Sequence, residues 1–141
     1  MARSYRHSRR YGNVRRYRVG YISITMTAKR ILVCGGRAYK DSVRVDTVLN
    51  AVAKKYEVTA IIQGEAAGAD TLAAAWGRRR RILAVGFKAD WATHGRAAGP
   101  IRNQQMLDEG RPDAVVAFPG GSGTANMIRR ARAAGLPVWL T

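Results

Sequence analysis

The residue pattern with the clearest chemical meaning is the segment Pro119-Gly120-Gly121-Ser122-Gly123-Thr124. A strand-like run, residues 113–118, precedes it, and a helix-like run, residues 125–134, follows it. A glycine-rich turn between a strand and a helix lets the backbone approach an anion, and the first N–H groups of the helix point at that anion. The Thr124 hydroxyl can bind the same anion or cap the helix. The segment therefore predicts a phosphate-binding loop.

A second glycine-rich turn, Gly35-Gly36-Arg37, follows another apolar run. The two glycines allow a ligand to lie close to the backbone, and the Arg37 guanidinium can reach a phosphate. A plain tight turn would contain the same glycine pair. The presence of two such turns in one chain favours a ligand-binding interpretation for both.

Acidic residues occur after a third apolar run, in the segment Gly64-Glu65-Ala66-Ala67-Gly68-Ala69-Asp70. The simplest interpretation of Asp70 is a helix N-cap. Glu65 lies among small residues and has no capping duty, so it can accept hydrogen bonds from a ribose or act as a general base. The alternative for Glu65 is a solvated loop residue.

Further candidates lie between residues 90 and 103. The imidazole of His94 can move protons, although a lone loop histidine is more often structural. Arg102 and Asn103 follow Pro100, which suits the first turn of a helix, and we expect Arg102 to bind phosphate or ribose. Trp91 can stack on a base or cover the core.

Several classes of protein are excluded by composition. With two histidines, one cysteine and few acids, we predict no metal site and no cofactor. Neither glycine segment is a P-loop or a G-x-G-x-x-G motif. Cys34 lies in an apolar run and is predicted to be buried and inert. No apolar run reaches the roughly 18 residues of a membrane span, and no secretory signal is evident, so we expect a cytoplasmic protein.

The elements that must position these residues alternate between strands and helices. Short apolar strands are predicted at residues 30–35, 58–62, 82–87, 114–118 and 137–140, with helices between them. This alternation predicts an α/β fold, a Rossmann-like doubly wound, mostly parallel five-stranded sheet with helices on both faces. In the strand order 3-2-1-4-5, both glycine-rich turns meet at the switch point, where such folds bind ligands.

The net charge of +16 is unevenly distributed. Residues 1–25 carry no acid and seven arginines, Arg3, Arg6, Arg9, Arg10, Arg15, Arg16 and Arg18. We therefore divide the chain into a basic extension, residues 1–25, expected to be disordered, and a ligand-binding domain, residues 26–141. Three interpretations of the extension stay open: translation starting at Met26, a passive tail, or a nucleic-acid-binding arm.

Five ordered motifs carry a family resemblance. Residues 34–39, 63–70, 89–95, 98–103 and 118–127 resemble the YspA-like (cpYpsA-related) branch of the SLOG superfamily, over about residues 29–141. The resemblance implies a Rossmann-like domain that binds a nucleotide or a nucleotide-derived ligand. Because related LOG-type proteins are often dimers, it also implies a homodimer.

The LOG-type phosphoribohydrolases of this superfamily cleave the N-glycosidic bond of nucleoside monophosphates. Their Pro-Gly-Gly-x-Gly-Thr-x-x-Glu loop and upstream arginine match the present loop and Arg102, but Met127 stands where the glutamate should be. A carboxylate can stabilise the positive charge that develops on the ribose and activate a water, whereas a thioether can do neither. Glu65, Asp70 or Asp90 can substitute only by reaching the same spot.

Three functions follow from these observations. The first is a sensor or sequestering module for a nucleotide. The second is a hydrolase of a nucleoside monophosphate or an ADP-ribose-like ligand, with Arg102, Glu65, Asp70 and His94 as catalytic candidates. The third is a nucleic-acid-binding accessory protein that uses residues 1–25.

Overall fold

The computed structural model describes residues 14–20 and 22–141. Its strands are β1 (Val14–Val19), β2 (Ile22–Cys34), β3 (Tyr56–Gln63), β4 (Leu83–Gly86), β5 (Ala114–Ala117) and β6 (Val138–Leu140). Its helices are α1 (Ser42–Lys55), α2 (Ala69–Arg79), α3 (Trp91–His94), α4 (Ala98–Asp108) and α5 (Ser122–Ala133), with a 3₁₀ turn at Gly95–Ala97. The alternation confirms the predicted α/β class.

The sheet has the predicted topology. Its strands lie in the order β4-β3-β2-β5-β6, and each of these neighbouring pairs is parallel. Counted from β2, this is the order 3-2-1-4-5. The order reverses between β2 and β5, so the loops that follow these two strands are neighbours at the carboxyl edge of the sheet.

The sixth strand, β1, differs from the expectation that residues 1–25 are disordered. It pairs antiparallel with the first half of β2, from Val14 opposite Thr27 to Val19 opposite Ile22. The arginine content favoured disorder, but valine and tyrosine suit a strand, and pairing satisfies the backbone of β2 that β5 does not reach. Disorder therefore does not hold for Val14–Val19, and residues 1–13 lie outside the described residues.

Two hydrophobic cores lie on opposite faces of the sheet. Ile31 and Val33 of β2 contribute to the core that includes residues of α1 and α2, whereas Leu32 and Cys34 contribute to the core that includes residues of α4 and α5. Successive side chains of a strand point to opposite faces, which explains this division. Because both faces are covered there, the final segment of β2, Ile31–Cys34, is a continuous apolar run rather than an alternating one.

Parallel strands bring their carboxyl ends to one edge, where the predicted site residues gather. The helices that leave this edge begin in different ways. Asp41 caps α1 by accepting a hydrogen bond from the Arg44 N–H at 2.9 Å, whereas the N-cap of α5 is Gly121, which has no side chain to cap with. In the described part of the chain, no helix is both long enough and apolar enough to cross a membrane.

Candidate ligand-binding cleft

A cleft of about 1130 Å³ opens at the carboxyl edge of the sheet. The loops after β2 and β5 and the first turns of α4 and α5 form its walls. It brings together most of the predicted ligand-binding residues: Gly35, Gly36, Arg37, Asp70, Arg102, Asn103, Pro119, Gly120, Gly121, Ser122, Gly123 and Thr124. Glu65, His94, Gly64 and Gly68 do not line it.

The two glycine-rich loops are joined directly. The Gly36 N–H donates a hydrogen bond to the Pro119 carbonyl at 2.9 Å. A Cβ atom on Gly36 would lie 3.1 Å from that carbonyl oxygen, and one on Gly35 would lie 2.9 Å from the Phe118 Cβ. A Cβ on Gly120 would overlap the Thr124 hydroxyl. These three glycines are therefore required by the close approach of the loops.

The N-terminus of α5 is uncapped and, unlike the two glycine-rich loops, is not crowded. Ser122, Gly123 and Thr124 belong to the first helical turn rather than to a loop, and no side chain caps this turn. The Ala125 N–H bonds to the Gly121 carbonyl at 3.0 Å, whereas the N–H groups of residues 122–124 have no acceptor among the described residues. A Cβ on Gly121 or Gly123 would meet no atom within 4 Å. The residues that carry these unpaired N–H groups belong to the lining of the cleft.

Asp70 does not cap its helix, contrary to the prediction. The N-cap position of α2 is Gly68, and Asp70 is the second residue of the helix. Its Oδ2 atom accepts hydrogen bonds from the N–H groups of Gly64 at 3.1 Å and Ala66 at 3.2 Å, so it holds the preceding loop. Burial raises the pKa of Asp70, and the bond from Ala66 and the charge of Arg102 counteract this only in part.

Arg102 lies across the cleft from the glycine-rich loops and is itself held in place. Its Nη1 group donates to the Gly64 carbonyl, and its Nε group donates to the Asn103 Oδ1 atom at 3.1 Å. Burial lowers the pKa of Arg102, the charge of Asp70 raises it, and the charge of Arg37 lowers it. Arginine nevertheless stays protonated in proteins. The cleft therefore contains a fixed, partly buried cation.

Asn103 supports α5. It is buried, and its Nδ2 group donates to the Gly123 carbonyl at 3.2 Å and to the Asn126 Oδ1 atom at 3.1 Å. The same Asn126 oxygen accepts a hydrogen bond from the Arg130 Nε group at 2.9 Å. These bonds fix the first turn of α5 against α4. The structure thus gives Asn103 a positioning role at the cleft.

The remaining predicted residues lie outside the cleft lining. Glu65 is exposed, has a φ of 53°, and places its carboxylate against Gly86. Gly64 packs against the Arg102 guanidinium, and Gly68, with a φ of 76°, packs against the backbone of Gly36 and Arg37. His94 is the exposed last residue of α3. Among the described lining residues, Asp70 is therefore the one with a carboxylate.

Two arginines in the lining, Arg96 and Arg129, were not singled out from the sequence. Arg129 lies seven residues after Ser122 in α5, and residues at this spacing share one helix face. That spacing is a signal by which Arg129 could have been found. Arg96 belongs to the 3₁₀ turn, and its sequence neighbours gave no comparable signal.

The floor of the cleft is apolar. Met127 is 1% exposed and packs in the same core cluster as Cys34 and Met106. Cys34 is buried, as predicted, and burial together with the charge of Asp70 raises the pKa of its thiol to about 12. No group of three potential metal-ligating side chains occurs within the described ranges.

Comparison with known proteins identifies the family of this chain. A model of the YspA, cpYpsA-related SLOG family matches residues 29–94, which include the last six residues of β2, all of β3 and the glycine-rich loop after β2. The chain belongs to this SLOG family. It is also 36% identical over 118 residues to the gene 61 protein of Mycobacterium phage D29, an alignment that covers 78% of this chain and 94% of the phage protein.

Within the wider SLOG superfamily, the LOG-type loop that the sequence resembles ends in a glutamate. In this SLOG-family chain the corresponding side chain, Met127, is part of the packed floor. An ionised carboxylate placed there without a partner would lose its hydration. The departure at residue 127 is therefore accommodated by an apolar environment.

Proposed function

We propose that the protein binds a nucleotide or nucleotide-derived ligand in the cleft and acts as a sensor or sequestering module. The observation that carries the proposal is the uncapped N-terminus of α5, which lies in the cleft lining and where a side-chain atom added at Gly121 or Gly123 would meet nothing within 4 Å. Such a terminus attracts anions through its N–H groups and the helix dipole. A phosphate is the anionic part of the proposed ligand.

The charge of the lining supports an anionic ligand. Its ionisable side chains are four arginines, Arg37, Arg96, Arg102 and Arg129, together with Asp70, Cys34 and Tyr39. No described residue forms an ion pair with any of these arginines. Arg102 already donates to Gly64 and Asn103, and phosphate oxygens can accept from the guanidinium N–H groups of the lining that make no bond within the protein.

Asp70 supports recognition of the sugar. Its Oδ2 atom is occupied by the loop, and its Oδ1 atom makes no hydrogen bond with the described residues. A carboxylate oxygen at the cleft wall can accept hydrogen bonds from ribose hydroxyls. Membership of the SLOG family also supports a nucleotide-related ligand.

A second candidate function is hydrolysis of the N-glycosidic bond. It is favoured by Asp70, which lies in the cleft and whose pKa is raised by burial, as suits a general base. With AMP, the reaction would consume one water and release adenine and ribose 5-phosphate. The apolar floor at Met127 argues against the arrangement of the LOG-type enzymes, so Asp70 would have to act alone.

Calorimetric titration with AMP, ADP-ribose and inorganic phosphate tests binding. We expect Arg102→Ala to weaken AMP binding by about 10- to 100-fold, because a hydrogen bond to a charged group contributes roughly 1.5–3 kcal/mol. Arg78→Ala removes the same charge from an exposed position on α2 and should leave the affinity unchanged. Circular dichroism and thermal unfolding check that both variants fold.

Chromatography of the same mixtures separates the two functions. Binding without release of adenine supports the sensor or sequestering module. Release of adenine that is lost in Asp70→Asn supports the hydrolase. If the wild-type protein binds neither AMP, ADP-ribose nor phosphate, or if Arg78→Ala weakens binding as much as Arg102→Ala, the proposed site is wrong.

A further inference from the structure

Trp91 is a large aromatic side chain at the wall of the cleft that the core does not use. It is 46% exposed and belongs to neither hydrophobic core cluster. It nevertheless has a defined position, because its indole lies against Gly99, where a Cβ atom would be only 3.3 Å from the Trp91 Cη2 atom. An exposed but positioned indole in a cleft lining is a surface available to a flat ligand group.

The turn that carries Trp91 is locally fixed. The side chain of Asp90 accepts a hydrogen bond from the Thr93 N–H at 3.1 Å, and the Asp90 carbonyl accepts one from the His94 N–H at 3.0 Å. The indole is therefore attached to an ordered helical turn. Little rotational freedom remains to be lost when a ligand packs on the ring.

The partner of the indole is Arg37, whose guanidinium carbon lies 5.1 Å from the centre of the Trp91 ring. Arg37 is exposed and makes no hydrogen bond or ion pair with the described residues. A cation–π contact at an exposed site is weak, and a phosphate offers arginine a stronger, bidentate partner. The arginine can therefore leave the indole when an anion enters.

We propose that Trp91 is the platform on which the nucleobase of the ligand stacks, and that Arg37 passes from the indole face to the phosphate on binding. The platform rests on the proposed function, since it needs a ligand with both a phosphate and an aromatic base. Both side chains line the cleft that contains the N-terminus of α5. When Arg37 moves to the phosphate, it leaves one face of the Trp91 ring. The base of the ligand can then stack on that face.

The test compares AMP with ribose 5-phosphate, which has the sugar and the phosphate but no base. We expect Trp91→Ala to weaken AMP binding about tenfold, within the range of base–aromatic stacking, and to leave ribose 5-phosphate binding unchanged. Trp91→Phe keeps an aromatic ring and should recover most of the AMP affinity. Arg37→Ala should weaken the binding of both ligands, because both carry the phosphate.

The outcomes separate the platform from the site itself. If Trp91→Ala weakens the binding of both ligands equally, or leaves the affinity for AMP unchanged, the proposal that the base stacks on Trp91 is wrong. The proposed phosphate site is not contradicted by either result. If the wild-type protein binds neither ligand, the proposed function fails and the platform fails with it. Thermal unfolding of each variant ensures that a loss of binding is not a loss of fold.

Discussion

The two sides of the cleft contain glycine for opposite reasons. On the side formed by the loop after β2, a Cβ atom on Gly35 or Gly36 would crowd a neighbouring segment, and one on Gly68, which packs against this loop without lining the cleft, would overlap the Gly36 carbonyl oxygen. On the side formed by the first turn of α5, a Cβ on Gly121 or Gly123 would meet nothing within 4 Å. We call these the packed side and the open side.

The difference indicates what each side contributes. Glycines of the packed side let two loops and the start of α2 approach one another, so their replacement should change the stability of the fold. Glycines of the open side are not needed for any such close approach in the unliganded protein. Their replacement should change what the cleft can admit, and substitutions on the two sides should therefore separate stability from binding.

The largest effect on the free energy of unfolding is expected on the packed side, from Gly68→Ala. Gly68 has a φ of 76°, and its added Cβ would overlap the backbone of Gly36. We expect the free energy of unfolding to fall by about 3 kcal/mol, because overpacking and a forbidden backbone conformation each cost roughly 1–3 kcal/mol. Urea denaturation measures the loss.

Gly95→Ala is the matched control for that substitution. Gly95 also has a positive φ, of 54°, but a Cβ atom there would meet nothing within 4 Å. Its replacement should cost only the backbone part, about 1–2 kcal/mol. Equal losses in the two variants would show that crowding contributes nothing on the packed side.

An intermediate effect on stability is expected from Asp70→Asn, which removes a buried ionisable group from the packed side. Burial raises the pKa of Asp70, so its stabilising contribution is complete below the ordinary pKa of 3.8 and is lost as pH rises through the native-state pKa. Asparagine keeps an acceptor for Gly64 and Ala66 but does not titrate. The wild type should therefore lose stability relative to the variant as pH rises from the ordinary pKa of 3.8 through the raised pKa of the native state.

Urea denaturation of both proteins at several pH values tests this dependence. A stability difference that stays constant across the range would contradict it. A wild type that gains relative to the variant as pH rises would mean that the charge of Arg102 outweighs the burial of Asp70.

A smaller effect on stability, opposite in sign to that of Gly68→Ala, is expected on the open side from Gly123→Ala. Alanine should raise the free energy of unfolding by about 0.5–1 kcal/mol, because glycine is unfavourable in a helix. A Cβ atom tilts toward the N-terminus of its helix, so it would project toward the bound anion. Phosphate affinity, measured by calorimetry, should fall while stability rises. Unchanged affinity would remove Gly123 from the anion site.

The last and smallest expected effect is on the chemical labelling of Cys34, which belongs to the apolar floor of the cleft. Its buried thiol, with a pKa of about 12, has almost no thiolate at pH 8. We expect a thiol-specific reagent to leave the native protein unlabelled and to label it fully in urea. Rapid labelling of the native protein would show that the floor opens to solvent.

Much of the fold could be predicted because its signals are local. Apolar runs such as Ile31–Cys34 indicated the strands, and the handedness of parallel crossovers indicated a doubly wound sheet, which the structure confirms. The strand β1 was missed because its formation depends on pairing with residues 22–27, which composition does not reveal. The turn of α3 was missed because four residues are too few for a periodic pattern.

The site was predictable to a smaller extent. The approach of Gly36 to Pro119 follows from strand order, so the meeting of the two glycine-rich loops could be expected. The role of Asp70 could not, because a residue near a helix start can bond its own helix or the loop before it, and only the tertiary structure decides which. Arg96 enters the lining through the 3₁₀ turn Gly95–Ala97, which directly follows the undetected turn that carries Trp91.

The three tryptophans lie in different environments, so intrinsic fluorescence can report on the cleft. Trp76 is 2% exposed and donates a hydrogen bond to Asn50, and Trp139 stacks on Tyr56 with ring centres 5.9 Å apart, whereas Trp91 is the most exposed of the three. A water-soluble quencher of fluorescence will therefore act first on the emission of Trp91. Shielding of that emission would register the filling of the cleft without any attached dye.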